Sequence, residues 1–262
     1  MILEYLEYHV THHCNLNCKG CGHFSNLVEK ESYGDCEQFE RDLTRLSEMF
    51  ENIKIIRLMG GEPLLNPDCM SFLAVSRKIF PKAKICLVTN GLLLPSMNDD
   101  FYKNIRKYRC LIQVSAYMPT KRLLPLIEKK CIKQEVELEI LKVNKNMFFK
   151  QADPKGENNP IKSYNNCYSN KCTFLQNGKI SICCAPFVSN LFSEKYDLSF
   201  DVCNNDWLDI YDVNMTAEKI ISFIASHIPF CRYCSPEKEW FKWESVGHNV
   251  NKSDWVVNNS LD

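Results

Sequence analysis

Residues 1–150 alternate between short apolar runs and longer stretches in which apolar side chains recur at helical spacing. The run over residues 53–59 is typical of a buried strand. Residues 36–51 carry apolar side chains at intervals of three and four residues, and Asp35 precedes them as an N-cap. The pattern predicts strands over residues 3–10, 53–59, 84–89, 110–116 and 136–143, and helices over residues 36–51, 66–80, 98–108 and 120–131.

This alternation is typical of βαβ units, and therefore of a parallel sheet covered by helices. Parallel sheets and barrels bind ligands at the carboxyl ends of their strands. Polar or reactive residues follow four predicted strands in turn: Cys14, then Gly60-Gly61-Glu62, then Asn90, then Ser115. The sequence therefore predicts an α/β fold with a ligand site at this edge.

A stretch rich in Asp, Pro, Gly and Asn interrupts the pattern at residues 151–166. Such composition is typical of a loop, and we place a domain boundary there. The predicted domains are residues 1–150 and 151–262. In the second, a helix is predicted over residues 216–227, before Pro229.

The composition narrows the class of protein. The chain has 262 residues, 45% of them hydrophobic, with 32 Lys and Arg against 32 Asp and Glu. This balance gives no indication of a surface for nucleic acid or anionic membrane. The first ten residues lack the basic start and apolar run of a signal peptide, and no apolar stretch approaches the roughly 20 residues of a membrane span. We expect a cytoplasmic protein that binds neither nucleic acid nor membrane.

Cysteine is unusually frequent, with 15 residues in the chain. Cytosolic thiols stay reduced, so clustered cysteines in such a protein more often bind metal than form disulfides. Six are scattered singly and are expected to act as small hydrophobic side chains. The other nine form an early group, Cys14, Cys18 and Cys21, and a late group, Cys167, Cys172, Cys183, Cys184, Cys231 and Cys234.

The early group, Cys14-x3-Cys18-x2-Cys21, offers three thiolates within eight residues. A structural zinc site needs four nitrogen or sulfur ligands. A cubane [4Fe–4S] cluster has one iron per ligand, so three cysteines leave one iron open to a small molecule. The spacing therefore favours a cluster that binds a substrate, and the alternative is a zinc knuckle completed by His12, His13 or His23.

Together with the predicted strand ends, this group resembles the radical S-adenosylmethionine (SAM) superfamily. Residues 10–21 resemble its cluster loop, and Met59-Gly60-Gly61-Glu62-Pro63 resembles its SAM amino-group motif. Thr89-Asn90-Gly91 and Val114-Ser115 resemble further SAM-contacting strand ends, so the resemblance covers residues 1–145. It implies a partial (β/α)6 barrel in which a [4Fe–4S] cluster on Cys14, Cys18 and Cys21 cleaves SAM to a 5′-deoxyadenosyl radical.

The resemblance also implies roles for single residues at the strand ends. Gly60 and Gly61 would let the backbone approach the ammonium group of SAM closely. Glu62 would pair with that ammonium, while Asn90 and Ser115 would hydrogen-bond the SAM carboxylate or ribose.

The sequence departs from this superfamily at Gly20. Relatives usually carry an aromatic residue just before the third cysteine, where it supports the adenine. Phe24 or His23, just after the loop, is expected to take this role.

The late group resembles the SPASM/Twitch extension of radical SAM enzymes, whose cysteines hold an auxiliary [4Fe–4S] cluster. The spacings Gly178-x4-Cys183 and Cys231-x2-Cys234 are its marks. No further cysteines follow them, which implies the one-cluster, Twitch-like form. A zinc ribbon on the same thiolates is the alternative.

The fourth ligand of this site is open between two cysteines. Asn177-Gly178 predicts a two-residue hairpin turn, which would place Cys172 opposite Cys183 with Cβ atoms about 4.5–5.5 Å apart. Cys167 has the more family-like spacing. Cys184 ranks last, because successive residues of a strand point to opposite faces.

The chain length, single auxiliary site and cysteine spacing are similar to those of the radical SAM dehydrogenase of 2-deoxystreptamine (butirosin) biosynthesis. This similarity implies oxidation of a carbohydrate or cyclitol alcohol, with the auxiliary cluster accepting an electron. The expected partners are a small-molecule substrate and a flavodoxin- or ferredoxin-type electron donor. The residues do not identify the general base, for which the candidates by type are His9, His12, His13, His23 and His248.

Three other functions stay open. A peptide maturase is one, although such enzymes often carry an additional N-terminal peptide-binding domain and strand one is predicted here from residue 3. A sugar epimerase is the second; because it returns a hydrogen atom, a spare cysteine near the site would favour it. A non-catalytic zinc or iron–sulfur scaffold or electron carrier is the third. Glu62 argues against it, since a carrier needs no partner for the SAM ammonium.

Overall fold

The computed structural model describes residues 1–141, 147–198, 200–247 and 249–260. Within them the chain divides into two compact units. The first unit comprises Met1–His12 and Ser32–Asn146, and the second comprises His13–Glu31 and Met147–Asp262. The early cysteine loop therefore belongs to the same unit as the late cysteines.

Five parallel strands form the sheet of the first unit: β1 Ile2–Thr11, β2 Asn52–Gly60, β3 Lys84–Thr89, β4 Cys110–Val114 and β5 Leu138–Ile140. They pair in the order β5-β4-β3-β2-β1. The intervening helices are α1 Cys36–Met49, α2 Cys69–Ile79, α3 Asp99–Lys107, α4 Met118–Lys121 and α5 Leu124–Lys133. The predicted α/β class is confirmed, and the parallel sheet is consistent with a partial barrel.

Strand register gives this sheet one apolar face. Leu6 pairs with Ile56 on that face, and both are fully buried. Helices α1 and α2 cover it, with the rings of Phe39 and Phe72 lying 4.4 and 5.7 Å from the ring of Tyr8. The helices occupy this face because their own apolar stripes need the same burial from water.

Three predicted elements of the first unit differ from the structure by more than two residues at one end or by an internal break. The helix predicted over residues 66–80 begins at Cys69, after a 3-10 turn at Pro63–Leu65. The helix predicted over residues 120–131 is divided into α4 and α5, because Pro125 has no N–H to donate to the carbonyl four residues earlier. Strand five is limited to Leu138–Ile140, and its predicted residues 142 and 143 lie outside the described residues.

The second unit contains short strands and helices: β6 Met147–Ala152, α6 Pro160–Asn165, β7 Phe174–Gln176, β8 Lys179–Ser181, α7 Ala185–Tyr196, β9 Leu208–Asp209, α8 Ala217–Ile224 and β10 Cys234–Lys242. Strand β10 pairs antiparallel with β6, and β8 pairs antiparallel with both β7 and β9. The predicted hairpin turn is confirmed, with φ of 50° at Asn177 and 74° at Gly178. Both values are positive, as a type I′ turn requires.

An aromatic cluster joins the two chain segments of the second unit. Phe24 and Leu27 pack with Phe192 of α7 and with Trp255, and all four are buried. Burial of these large side chains ties the early loop to the rest of its unit. No helix in the described part of the chain is long and apolar enough to cross a membrane.

Candidate functional site

The early cysteine loop pairs through its backbone with a segment near the other end of the chain. Cys18 forms an isolated antiparallel bridge with Ser245. The Lys19 N–H donates to the Glu244 carbonyl at 3.0 Å, and the Lys19 ammonium lies 2.7 Å from the Glu244 carboxylate. The loop that carries the three thiols is therefore held on both its main chain and its side chains.

The environment of Cys21 suits a metal-bound thiolate. Burial raises the pKa of the Cys21 thiol, and backbone N–H groups of His23, Phe24 and Ser25 oppose this rise by donating to its sulfur. Such donors stabilise a negatively charged sulfur and orient a metal ligand. Three thiols within eight residues, one already supplied with N–H donors, fit the cluster that the sequence predicts.

An aromatic ring from elsewhere in the fold occupies the space beside Gly20. A Cβ at Gly20 would lie 2.9 Å from the ring of Phe241 and 2.7 Å from the carbonyl oxygen of Asp254. Phe241 therefore fills the space of the missing side chain. The ring of Phe24 is instead buried in the aromatic cluster with Trp255, and its contact with an adenine stays a prediction.

The Gly-Gly-Glu-Pro segment begins at the last residue of β2. Gly60 has a φ of 131°, and a Cβ there would overlap the carbonyl oxygen of Thr11. The N–H of Gly61 donates to that same oxygen at 2.8 Å. Both glycines thus lie against the end of β1, where only a residue without a side chain allows so close an approach at position 60.

Glu62 is completely buried and accepts three hydrogen bonds. Its carboxylate is 2.6 Å from Thr89 Oγ1, 2.8 Å from the Asn90 N–H and 3.1 Å from the Leu64 N–H. Burial raises the pKa of this carboxyl group from 4.5 to about 7, although the three donors act in the opposite direction. Glu62 therefore joins the ends of β2 and β3, and its pairing with a SAM ammonium stays a prediction.

Asn90 and Ser115 follow the next two strand ends, as predicted, and both are buried. The Asn90 carbonyl accepts from Thr120 Oγ1 at 2.6 Å, and the Asn90 side chain accepts from the Leu92 N–H at 3.0 Å. The Ser115 N–H donates to the Thr89 carbonyl at 2.9 Å. The first unit thus brings Gly60, Gly61, Glu62, Asn90 and Ser115 to the carboxyl ends of β2, β3 and β4.

The late cysteines include four thiols that act on one another electrostatically. The Cys234 and Cys231 thiols each raise the pKa of the Cys183 thiol, after burial and Cys184. Burial raises the pKa of the Cys231 thiol to about 11 and raises that of the Cys234 thiol, and Cys167 contributes to both rises. The sulfur of Cys167 also accepts a hydrogen bond from the Ser169 N–H at 3.3 Å, and the choice of Cys167 rather than Cys172 as the fourth ligand stays a prediction.

In the described residues, the sulfurs of neither cysteine group lie as close together as a single zinc ion requires. Tetrahedral zinc with Zn–S bonds of about 2.3 Å places its sulfurs about 3.8 Å apart. In the described residues, neither the early nor the late cysteines form a set of three with all sulfurs within 4.8 Å of one another. An iron–sulfur cluster puts each thiolate on a different iron and so spreads the sulfurs farther apart.

Cys184 contacts the early loop. Its sulfur is 3.5 Å from Nδ1 of His23, two residues after Cys21. Of the other histidines considered as bases, His9 and His12 lie in the first unit with ring centroids 6.1 Å apart, and His13 lies in the second. His248 lies outside the described residues.

One group of polar residues in the first unit did not emerge from the sequence. Glu7 of β1 pairs in register with Arg57 of β2, and their side chains are 3.7 Å apart. Arg57 also donates to Gln113 at 3.0 Å and to the Tyr5 hydroxyl at 2.9 Å. These four lie on the face opposite the apolar one. The sequence signal that could have found them is the polar residue at every second position of an otherwise apolar strand.

These features place the chain in a class. A family model for the radical SAM superfamily matches residues 8–149, more than half of the chain. The chain belongs to this superfamily. Membership implies a SAM-binding [4Fe–4S] cluster and SAM itself, which the early cysteines and the strand-end residues fit.

Particular relatives are similar over part of their length. GTP 3′,8-cyclase of Geobacter sulfurreducens is 41% identical over 100 residues, covering 37% of this chain and 30% of that protein. GTP 3′,8-cyclase of Helicobacter pylori is 28% identical over 138 residues, covering 52% and 42%. The chain therefore spans less than half the length of these curated relatives.

A solved structure matches over nearly the whole chain. The structure of BtrN in complex with AdoMet and 2-DOIA superposes with a TM-score of 0.51 at 15% identity, covering 97% of this chain and 98% of that one. At this identity the match supports the fold, including the extension that follows the radical SAM core.

Proposed function

We propose that this radical SAM enzyme removes a hydrogen atom from a carbohydrate or cyclitol alcohol and oxidises it to a ketone. The observation that carries the proposal is the grouping of four late thiols, Cys167, Cys183, Cys231 and Cys234. Four thiolates complete the ligand set of a [4Fe–4S] cluster, which suits electron transfer better than substrate binding.

Cys14, Cys18 and Cys21 would hold the SAM-binding cluster, and the cofactors would supply the electron that cleaves SAM and the radical that takes a hydrogen atom from the substrate. Oxidation of an alcohol then requires the loss of one proton and one further electron. A cluster on the late thiols would accept that electron. The chain's own part is to hold both sets of thiols and to exclude water from the reacting atoms.

The polar face of the first unit supports a hydroxyl-rich substrate. Glu7, Arg57 and Gln113 offer acceptors and donors along neighbouring strands. Hydroxyl groups of a sugar or cyclitol can form hydrogen bonds with groups of this kind, which an apolar substrate cannot do.

The first test is reconstitution with iron and sulfide without oxygen, followed by reduction, addition of SAM and measurement of 5′-deoxyadenosine. We expect about eight irons per chain, as two cubane clusters require. Cys18→Ala should abolish 5′-deoxyadenosine formation. Cys167→Ala should lower the iron content by about four and Cys172→Ala should not, because Cys167 belongs to the thiol group.

Two results would contradict this assignment. If Cys167→Ala retained all its iron and Cys172→Ala lost iron, Cys172 and not Cys167 would be the fourth ligand. Zinc in place of iron, without 5′-deoxyadenosine, would leave a metal-binding scaffold.

Once 5′-deoxyadenosine formation is established, substrate consumption would be measured with carbohydrate alcohols, with a peptide panel, and with GTP, the substrate named for the curated relatives.

The contact between Cys184 and His23 favours a second candidate, epimerisation. A thiol gives its hydrogen atom to a carbon radical, so that the S–H bond breaks and a C–H bond forms. The thiyl radical left on Cys184 would take one electron from the low-potential reductant and one proton from water. The contact of Cys184 with His23, which lies two residues after Cys21, supports this role.

The epimerase candidate predicts solvent deuterium in 5′-deoxyadenosine when the reduced enzyme turns over SAM alone in D2O. The thiol hydrogen exchanges with solvent, so a 5′-deoxyadenosyl radical quenched by Cys184 gains one deuterium atom. Cys184→Ser should remove this label at unchanged total 5′-deoxyadenosine, and Cys203→Ser is the matched control. Equal labelling in all three proteins would exclude Cys184 as the donor.

A further inference from the structure

The contacts that hold the early loop converge on one segment, residues 241–247 and 249–255, which we call the C-terminal latch. It continues from β10, whose first residue is Cys234. In this segment Ser245 pairs with Cys18, and the Val246 N–H donates to the Asn17 carbonyl at 3.0 Å. Ser245 Oγ donates to the Leu16 carbonyl at 2.8 Å. The latch thus acts as a short partner strand for the loop.

Trp255 contacts a proposed ligand directly through its side chain. Its indole Nε1–H donates to the carbonyl oxygen of Cys21 at 2.8 Å. The indole is 3% exposed and lies 5.8 Å, between ring centroids, from Phe24. A hydrogen bond shielded from water in this way fixes the peptide plane of the third cysteine more firmly than an exposed one.

Gly20 provides independent evidence that the latch and the loop pack closely against each other. Its φ is 62°, and a Cβ would meet both Asp254 and Phe241 of the latch. Gly22, on the other side of Cys21, has no atom within 4 Å of the equivalent position. The loop therefore has no room for a side chain where it meets the latch, and has room two residues later.

We propose that the C-terminal latch sets the positions of Cys18 and Cys21, with Trp255 as a positioning residue for the SAM-binding cluster. This inference rests on the proposed radical SAM chemistry. In metal sites, groups that orient the ligands affect affinity and electronic properties although they do not touch the metal. The latch is such a support, supplied from residues more than 200 positions away in sequence from the loop.

The first test compares Trp255→Phe with Trp240→Phe in the reconstituted protein. The first substitution keeps an aromatic ring and removes the N–H donor, whereas Trp240 is 60% exposed and serves as the control. We expect Trp255→Phe to weaken SAM binding, measured by equilibrium dialysis, about tenfold, in line with lost ligand support. The electron paramagnetic resonance signal of its reduced SAM-binding cluster should also change its response to SAM.

The second test compares Gly20→Ala with Gly22→Ala by the same measurements. Gly20→Ala should weaken SAM binding and alter the resonance signal, and Gly22→Ala should match the unsubstituted protein. In every variant the iron of the auxiliary site should stay bound, which separates loss of latch support from general unfolding.

The outcomes are distinct. If Trp255→Phe and Gly20→Ala both bind SAM and respond in resonance like their controls, the latch has no positioning role and the inference is wrong, while the proposed function stands. If the unsubstituted protein forms no 5′-deoxyadenosine and does not bind SAM, the proposed function and this inference fail together.

Discussion

Replacing Gly60 by alanine is expected to cost the first unit about 4 kcal/mol or more of stability. Gly60 has a φ of 131°, a region that L-residues avoid, and the new Cβ would overlap the Thr11 carbonyl oxygen. That oxygen cannot move freely, because it also accepts the Gly61 N–H at 2.8 Å. The end of β1 and the end of β2 would have to separate.

Urea unfolding followed by circular dichroism measures this effect. Gly247→Ala is the control, because Gly247 has a φ of 57° but no atom within 4 Å of the Cβ position. Its cost should be only about 1 kcal/mol, the penalty of a positive φ alone. Similar midpoints for the two variants would show that the overlap with Thr11 is relieved by a small backbone shift.

Glu62→Gln is expected to remove a pH dependence of stability. The folded protein holds the Glu62 proton up to about pH 7, whereas the unfolded chain releases it near 4.5. The folded state therefore binds more protons in this window, and stability falls as pH rises. The contribution of Glu62 is fully present below pH 4.5, and about 3 kcal/mol of it is lost by the time the pH has passed 7.

Urea unfolding of the metal-free protein between pH 5 and pH 8 tests this expectation. The unsubstituted chain should lose stability over the range, and Glu62→Gln should lose distinctly less. The variant should also be less stable at low pH by about 1–2 kcal/mol. Its amide NH2 group would face hydrogen-bond donors that donate to the carboxyl group of Glu62. Parallel pH profiles for both proteins would mean that Glu62 titrates at its ordinary pKa.

Local patterns accounted for most of the elements. Strand β3 has the predicted bounds, and Asp35 caps α1 by accepting the Gln38 N–H at 3.0 Å. The turn at Asn177-Gly178 and the strand-end positions of Glu62 and Asn90 also follow from neighbours in sequence. These features depend on side-chain periodicity and on residue-specific φ preferences, both of which are readable along the chain.

The sequence by itself determined the superfamily, because three thiols at fixed spacing and a Gly-Gly-Glu-Pro segment are local chemistry. Tertiary structure alone decided that the early loop belongs to the second unit, that Trp255 supports Cys21 and that Phe241 fills the place beside Gly20. These contacts join residues far apart in the chain, and no periodicity records them, because only the packing of the folded backbone brings such residues together.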